Sequence, residues 1–385
     1  MRVAVLTREY PPEIYGGAGV HVTALVEHLT KLVDADVQCF GAPRDAPGVR
    51  AHQPWPAVAE AALQTMSVDL PMASGCAGAD VVHSHTWYAN LGGHLGGLLH
   101  GIPHVMTAHS LEPRRPWKRE QLGGGYELSL FCERTAVEAA AAVIAVSGAM
   151  RDDILATYPG VDPDRVVVIH NGIDTDAWCP APDAGVLTRL GIDPERPVVT
   201  FVGRITRQKG VEHALAAART IEPSAQVVLC AGAPDTPRIG VEMRALAAEV
   251  ATRRGGIVWI EEMLSRGEVA AILTASTAFI CPSVYEPFGL TNLEAMACET
   301  AVVATAVGGI PEIVVEGVTG HLVPYAEDHE AFAMALAGRV NALLDDPTRA
   351  AAMGRAGRLR AIERFGWPAV AACTVGLYEK VRGSL

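Results

Sequence analysis

Glu286-Pro-Phe-Gly-Leu-Thr-Asn-Leu-Glu294 follows an apolar, strand-like run, Thr277-Ala-Phe-Ile-Cys-Pro-Ser283, and leads into the helix-forming Asn292-Leu-Glu-Ala-Met-Ala-Cys298. Pro287 and Gly289 break regular structure between the two, so the spacing predicts a strand ending near Glu286 and a helix starting just beyond it. A helix amino terminus offers free N–H groups and a partial positive charge, which suits an anionic ligand. Glu294 falls in the second turn, within reach of a neighbouring hydroxyl. A carboxylate and several amides around a phosphate-sized space suggest a sugar-nucleotide site. Glu near a helix start is also favourable on its own account, so either residue alone reads equally well as structural.

The same strand–loop–helix plan extends outward in both directions. Val198-Val-Thr-Phe-Val, Gln226-Val-Val-Leu-Cys, Gly256-Ile-Val-Trp-Ile and Ala301-Val-Val-Ala-Thr alternate with helical segments on this side of the chain. Arg2-Val-Ala-Val-Leu, Asp36-Val-Gln-Cys-Phe, Asp80-Val-Val-His-Ser, His104-Val-Met-Thr-Ala, Ala142-Val-Ile-Ala-Val and Val166-Val-Val-Ile-His do so towards the amino terminus. Short buried runs separated by helices are the signature of a parallel sheet covered on both faces. Between Asn171 and Pro197 turn and breaker residues mark a linker. The expectation is α/β with two doubly wound, Rossmann-like domains facing a central cleft. Their bounds are 1–178 and 179–365, with a final helix over 366–385. Residues 43–75 are rich in Pro and Ala and carry no clear element.

The chain's 385 residues exceed the usual single-domain size. A net charge of −12 and a pI near 5.5 argue against nucleic-acid binding, which calls for a basic face. No stretch of 18 residues is apolar and uncharged, and a strand pattern starts at Arg2, so neither membrane span nor signal peptide is read. The eight cysteines are scattered without a C-x-x-C pair, as in a reducing cytoplasm.

Four further stretches carry candidate chemistry. Arg8-Glu-Tyr-Pro-Pro-Glu-Ile-Tyr15-Gly-Gly17-Ala-Gly19 ends the first strand with glycines that let amides approach phosphate oxygens, or that make an ordinary tight turn. It lacks the third Gly of a nicotinamide fingerprint and the Lys-Ser/Thr of a P-loop. Thr200-Phe-Val-Gly-Arg204-Ile-Thr-Arg-Gln-Lys209-Gly210 offers a fork and a point charge to a diphosphate, or a solvated basic loop. His109 caps a strand's carboxyl end, where open α/β sheets bind ligands, although a structural His fits the local sequence as well. His83-Ser-His85 has metal-pair spacing, but no further ligands are spaced around it, so it reads as a strand end lining the cleft. Asp34-Ala-Asp36 and Asp174-Thr-Asp176 imitate a metal-binding D-x-D in unsuitable places, and no Ser sits in a G-x-S-x-G elbow.

Taken together, the Gly loop, strand-end His, Gly-Arg-x4-Lys and two Glu separated by seven residues resemble the retaining nucleotide-sugar glycosyltransferases of the GT-B fold, family 4. The resemblance covers essentially the whole chain. It implies that Gly17 touches the donor phosphates and His109 binds the donor sugar. Arg204 and Lys209 would clamp the diphosphate. Glu286, with the amides of Phe288, Gly289 and Leu290, would hold sugar hydroxyls and phosphate, and Glu294 the ribose. Glu261 to Met263 would lie at the base edge, and the last helix would cross back onto the first domain. It also implies retention without a metal or other cofactor, through front-face attack in which the donor phosphate accepts the proton.

Within the family, the segments around Tyr15 and His85 are most similar to short actinobacterial glycogen-synthase-like enzymes, several of which join ADP-glucose to glucose 1-phosphate. Classical starch synthases carry Lys where this chain has Tyr15 and are longer, which favours a small acceptor over an α-glucan. Arg114-Arg-Pro-Trp-Lys118-Arg119 is the one dense basic cluster, and Arg114, Arg115 and Lys118, with Tyr15 and His85, form the expected acceptor side. A solvated loop is the competing reading. A GDP-mannose-dependent lipid transferase would need a basic amphipathic first helix, and Val20 to Leu32 carries only Lys31. A sugar-nucleotide epimerase would need no acceptor, and a non-catalytic relative should lack one of Arg204, Lys209 or Glu286. The protein is expected to be cytoplasmic; whether it forms a homodimer is left open.

Overall fold

The computed structural model describes residues 1–14, 16–232 and 234–383. It divides into two compact units: Met1–Gly172 joined by the carboxyl-terminal segment from Trp367, and Ile173–Gly366.

In the first unit, β1 (Arg2–Thr7), β2 (Asp34–Phe40), β3 (Val49–His52), β4 (Val81–His85), β5 (His104–Ala108), β6 (Ala142–Ala145) and β7 (Val166–Val168) form one sheet. Its order is β3-β2-β1-β4-β5-β6-β7, with every neighbour parallel. Val3 to Leu6 and Val81 to His85 are buried throughout, because helices cover both faces and leave no solvent side on which to alternate. The direction of winding reverses between β1 and β4. Such a switch point opens a crevice at the strands' carboxyl ends.

The second unit repeats the plan with β8 (Val198–Arg204), β9 (Gln226–Gly232), β10 (Ile257–Ile260), β11 (Ser276–Cys281), β12 (Ala301–Thr305) and β13 (Gly320–Val323). The order β10-β9-β8-β11-β12-β13 is again parallel and reverses between β8 and β11. Its core joins Val199, Phe201, Leu215 and Ile280 to Phe332, Leu336 and Val340 of the helix His329–Asp345.

The helix Trp367–Arg382 belongs to the first unit. Trp367, Ala371, Leu377 and Tyr378 share a core with Val3, Val22, Leu25 and Val105. The two D-x-D imitations are structural. Asp36 pairs with Arg2 at 3.1 Å and also with Arg50. Asp174 caps its own turn by accepting the amides of Asp176 and Ala177.

Two stretches carry more structure than their sequence suggests. Residues 43–75 contain β3 and the helix Ala61–Gly75, which has Pro71 in its interior. Proline removes one backbone donor there and hides the helical signal. The linker holds a short helix, Ala184–Arg189, started by Asp183 accepting the amide of Val186. Among the described residues, no helix is long and apolar enough to cross a membrane.

Candidate active site

In the second unit the candidate residues gather at the carboxyl edge beside the β8/β11 switch point. β8 ends at Arg204 and β11 at Cys281, and the loops that follow are locked together. Val284 donates its amide to the Gln208 carbonyl at 3.0 Å. Gly210, at φ +64°, lies so close to Pro282 that a Cβ would stand 2.2 Å from the Pro282 carbonyl oxygen. Only glycine allows both that backbone and that approach.

This lock brings Lys209 Nζ to 2.7 Å from Glu286 Oε2. The Ser283 hydroxyl donates to the same oxygen at 3.2 Å. Burial alone would push the Lys209 ammonium down, but the Glu286 carboxylate outweighs it and holds the pKa above the usual lysine value. Lys209 is therefore a fixed cation. Arg204 is held by Asp235 at 3.0 Å, a partner that the sequence reading did not include. Beyond Glu286, the helix Leu290–Ala297 starts at Gly289, so the amides of Leu290 and its neighbours lie at a helix start. The Phe288 ring packs edge-on against Phe365.

Glu294 lies one turn into that helix. Burial raises its pKa to about 7, although Lys209 and Arg266 pull the other way. A carboxyl raised from an ordinary value near 4.5 binds more protons folded than unfolded. Its contribution to stability is thus complete below about pH 4.5 and is lost as pH rises through about 7. Melting scans should show Glu294→Gln gaining stability relative to wild type between pH 5 and about 8. A constant difference across that range would reject this account of Glu294.

Glu261 to Met263 follow β10 at the same carboxyl edge. The backbone of Glu261 sits against Gly232 at the end of β9, and its side chain faces Arg244 at 3.5 Å. Met263 is 80% exposed, so it is open to a ligand rather than part of the core.

The first unit places its candidates at the β1/β4 switch point. Gly17 opens the helix Gly17–Leu29. Glu9 stands over this loop and accepts the amide of Gly16 at 2.8 Å. A Cβ at Gly19 would lie 2.6 Å from that carboxylate. His85 ends β4 and His109 follows β5; His85 Nδ1 and His109 Nε2 are 3.0 Å apart. His21, not singled out in the sequence, completes the group, with its ring 4.8 Å from that of His109. His83 is held between the Tyr378 hydroxyl at 2.6 Å and Thr107 at 2.8 Å, so the carboxyl-terminal helix supports this edge. Burial keeps these rings neutral: the pKa of His109 falls to about 4 and that of His83 to about 3.

The basic cluster is divided by the fold. Arg114 turns to Asp153 at 2.9 Å. Arg115 donates to Ser110 Oγ at 3.0 Å, and Lys118 to Gln121 at 2.7 Å. Arg115 and Lys118 line a cavity of about 50 Å³ with His109, Glu112 and Glu133, room for a few waters. Glu133 accepts the Glu112 amide on both oxygens and the Tyr158 hydroxyl at 2.6 Å. Burial, then the neighbouring Glu112 carboxylate, pushes its pKa up to about 8. Nothing in the local sequence marked this pair, because the approach depends on a helix packing against the loop after β5. Tyr15 lies outside the described residues.

Comparison with known proteins shows the family and the fold. The model for Glycosyltransferase Family 4 matches residues 15–177, and that for Glycosyl transferases group 1 matches residues 187–360. Alpha-maltose-1-phosphate synthase of Mycolicibacterium smegmatis is 60% identical over 385 residues, covering 99% of this chain and 100% of the relative. D-inositol 3-phosphate glycosyltransferase of Thermobispora bispora is 33% identical over 313 residues, covering 78% and 70%. Among solved structures, sucrose-phosphate synthase from Thermosynechococcus elongatus superposes with a TM-score of 0.80 at 25% identity, with full coverage of both chains. Anabaena HepE, in complex with UDP and glucose, superposes at 0.79 with 19% identity, covering 99% of this chain and 100% of HepE. Two parallel-sheet units, both family signatures and full-length identity together place the chain in glycosyltransferase family 4, with the GT-B fold.

Proposed function

We propose that this glycosyltransferase is a retaining, metal-independent enzyme that moves glucose from ADP-glucose to glucose 1-phosphate, forming α-maltose 1-phosphate. The observation that carries the reading is the 60% identity along the full length of an alpha-maltose-1-phosphate synthase. The name of the inositol 3-phosphate relative also describes a small phosphorylated acceptor.

In this reading Arg204 and Lys209 bind the diphosphate and neutralise the charge that develops as the glycosidic bond breaks. Both are held in advance by Asp235 and Glu286, so little reorganisation accompanies reaction. Glu286 and the helix-start amides after Gly289 hold sugar hydroxyls and phosphate, Glu294 takes the ribose, and Glu261 to Met263 meet the base edge. Neutral His109 hydrogen-bonds the transferred sugar, and the Gly17 amide approaches the donor phosphates. The acceptor hydroxyl attacks from the face that the leaving phosphate vacates, and that phosphate takes its proton. Retention follows without a covalent enzyme intermediate.

On the acceptor side, Arg115 and Lys118 attract the phosphate of glucose 1-phosphate, with His85 and Tyr15 nearby, while Arg114 stays with Asp153. Arg115→Ala with Lys118→Ala should raise the acceptor KM by about tenfold or more and leave the donor KM within about twofold. Equal effects on both KM values would reject the assignment.

The direct test is ADP release from ADP-glucose, with glucose 1-phosphate and glycogen offered separately and UDP- and GDP-sugars as donor controls. Rapid release with glucose 1-phosphate is expected. Release with glycogen alone would make the protein a chain-elongating synthase, and release with neither acceptor would favour donor hydrolysis or epimerisation.

A further inference from the structure

We propose that His21, His85 and His109 form a binding site for a soft divalent cation, zinc above all, and that the bound ion holds the transferase inactive. The three rings come from three elements of the first unit: the helix Gly17–Leu29, the end of β4 and the loop after β5. One ring nitrogen from each lies within 4.8 Å of the others. Zinc–nitrogen bonds of about 2.0–2.1 Å put ligand nitrogens about 3.4 Å apart in a tetrahedral site, so modest ring rotations close this set on an ion.

A further observation favours a ligand here. Among the described residues, His85 Nε2 is buried without a hydrogen-bond partner, and His21 Nδ1 is buried with the Asn171 side chain beside it. Buried polar atoms are rarely left that way, and a ligand held among these rings is one way to satisfy them. Imidazole binds metal through the ring-nitrogen lone pair of its neutral form. Three neutral imidazoles suit zinc, copper or nickel, whereas magnesium and calcium prefer oxygen.

The surroundings support the same geometry. The ring centroid of His83 lies 4.2 Å from that of His85, and His83 is itself fixed by Tyr378 and Thr107. Trp367 closes the far side of His21 at 5.2 Å. Outer groups of this kind orient ligands and keep water away. Three protein ligands leave a fourth position for water. Coordination would take the His109 lone pair away from the sugar. The inhibitory half of the proposal rests on the reading of His109 given above, whereas the binding half stands without it.

The test uses the full chain and needs two readouts. Equilibrium dialysis against zinc should retain one ion per chain, and cobalt(II) in its place should give the intense visible bands of a four- or five-coordinate nitrogen site. His21→Gln and His85→Gln should each weaken binding by about tenfold or more, while His21→Cys, which keeps a ligand, should largely preserve it. His329→Gln, at the exposed histidine of the second unit, should change nothing. ADP release should fall as zinc loads and return on adding a chelator. Failure to retain zinc, a weak octahedral cobalt spectrum, or binding that survives both Gln variants would overturn the site. The cobalt spectrum is read on the wild-type chain, so a misfolded variant does not remove the test. Zinc bound at the histidines with undiminished transfer would overturn the inhibitory role and count against His109 at the sugar. Failure of the glucose 1-phosphate assignment alone would leave the metal readouts unchanged.

Discussion

Lys209→Met is expected to lower kcat/KM for the nucleotide sugar by about 10²–10³-fold, the range for losing one preorganised charge donor at a reacting group. The side chain is held 2.7 Å from Glu286, so part of the loss could arise from leaving that buried carboxylate unpaired. Lys209→Met with Glu286→Gln isolates the stability part of that loss, because it removes the unpaired carboxylate. The pair of changes should recover much of the melting temperature lost in the single variant and none of the activity. Recovery of transfer together with stability would mean that Lys209 serves the fold and not the diphosphate.

Gly308→Ala is expected to damage stability and activity together, without touching a charged group. Gly308 has φ +53°, and a Cβ there would stand 1.9 Å from the Glu286 carbonyl oxygen. The neighbouring Gly309 amide donates to that same carbonyl at 3.0 Å. The new methyl must push the Glu286 backbone aside and adopt a left-handed conformation as well, at a combined cost of about 2–4 kcal/mol. The melting temperature should fall by about 5–10 °C. Displacement of Glu286 should lower kcat by about tenfold or more in the fraction that remains folded, since small misplacements of a positioning group are costly. A variant that melts lower but turns over normally would show that Glu286 does not position the donor.

Both predictions concern contacts that Glu286 makes with other loops at the second sheet's carboxyl edge, and this is where reading the chain becomes harder. The alternation of short apolar runs with helical stretches was legible in the sequence because buried parallel strands carry a local signal. The Glu286–Glu294 segment and the Arg204–Lys209 loop were legible for the same reason, since each is a strand end, a breaker and a helix start in immediate succession. The helix with Pro71 inside it was not, because its stability comes from packing and not from local pattern. Nor was the split of the basic cluster: Arg114, Arg115 and Lys118 are near neighbours in sequence, but Asp153, Ser110 and Gln121 draw them in different directions.

By itself, the sequence determined the two-sheet α/β plan, the family resemblance and the positions of the strand-end residues. These follow from periodicity and from breakers only a few residues apart. Tertiary structure alone decided which of those residues meet. Glu286 finds Lys209 because Gly210 lets two loops approach, Arg204 finds Asp235 across the β8/β9 edge, and His21 joins His85 and His109 from a separate helix. Such encounters span tens of residues and depend on sheet order. Sheet order is set by how all the helices and strands pack together, and no local stretch carries that information.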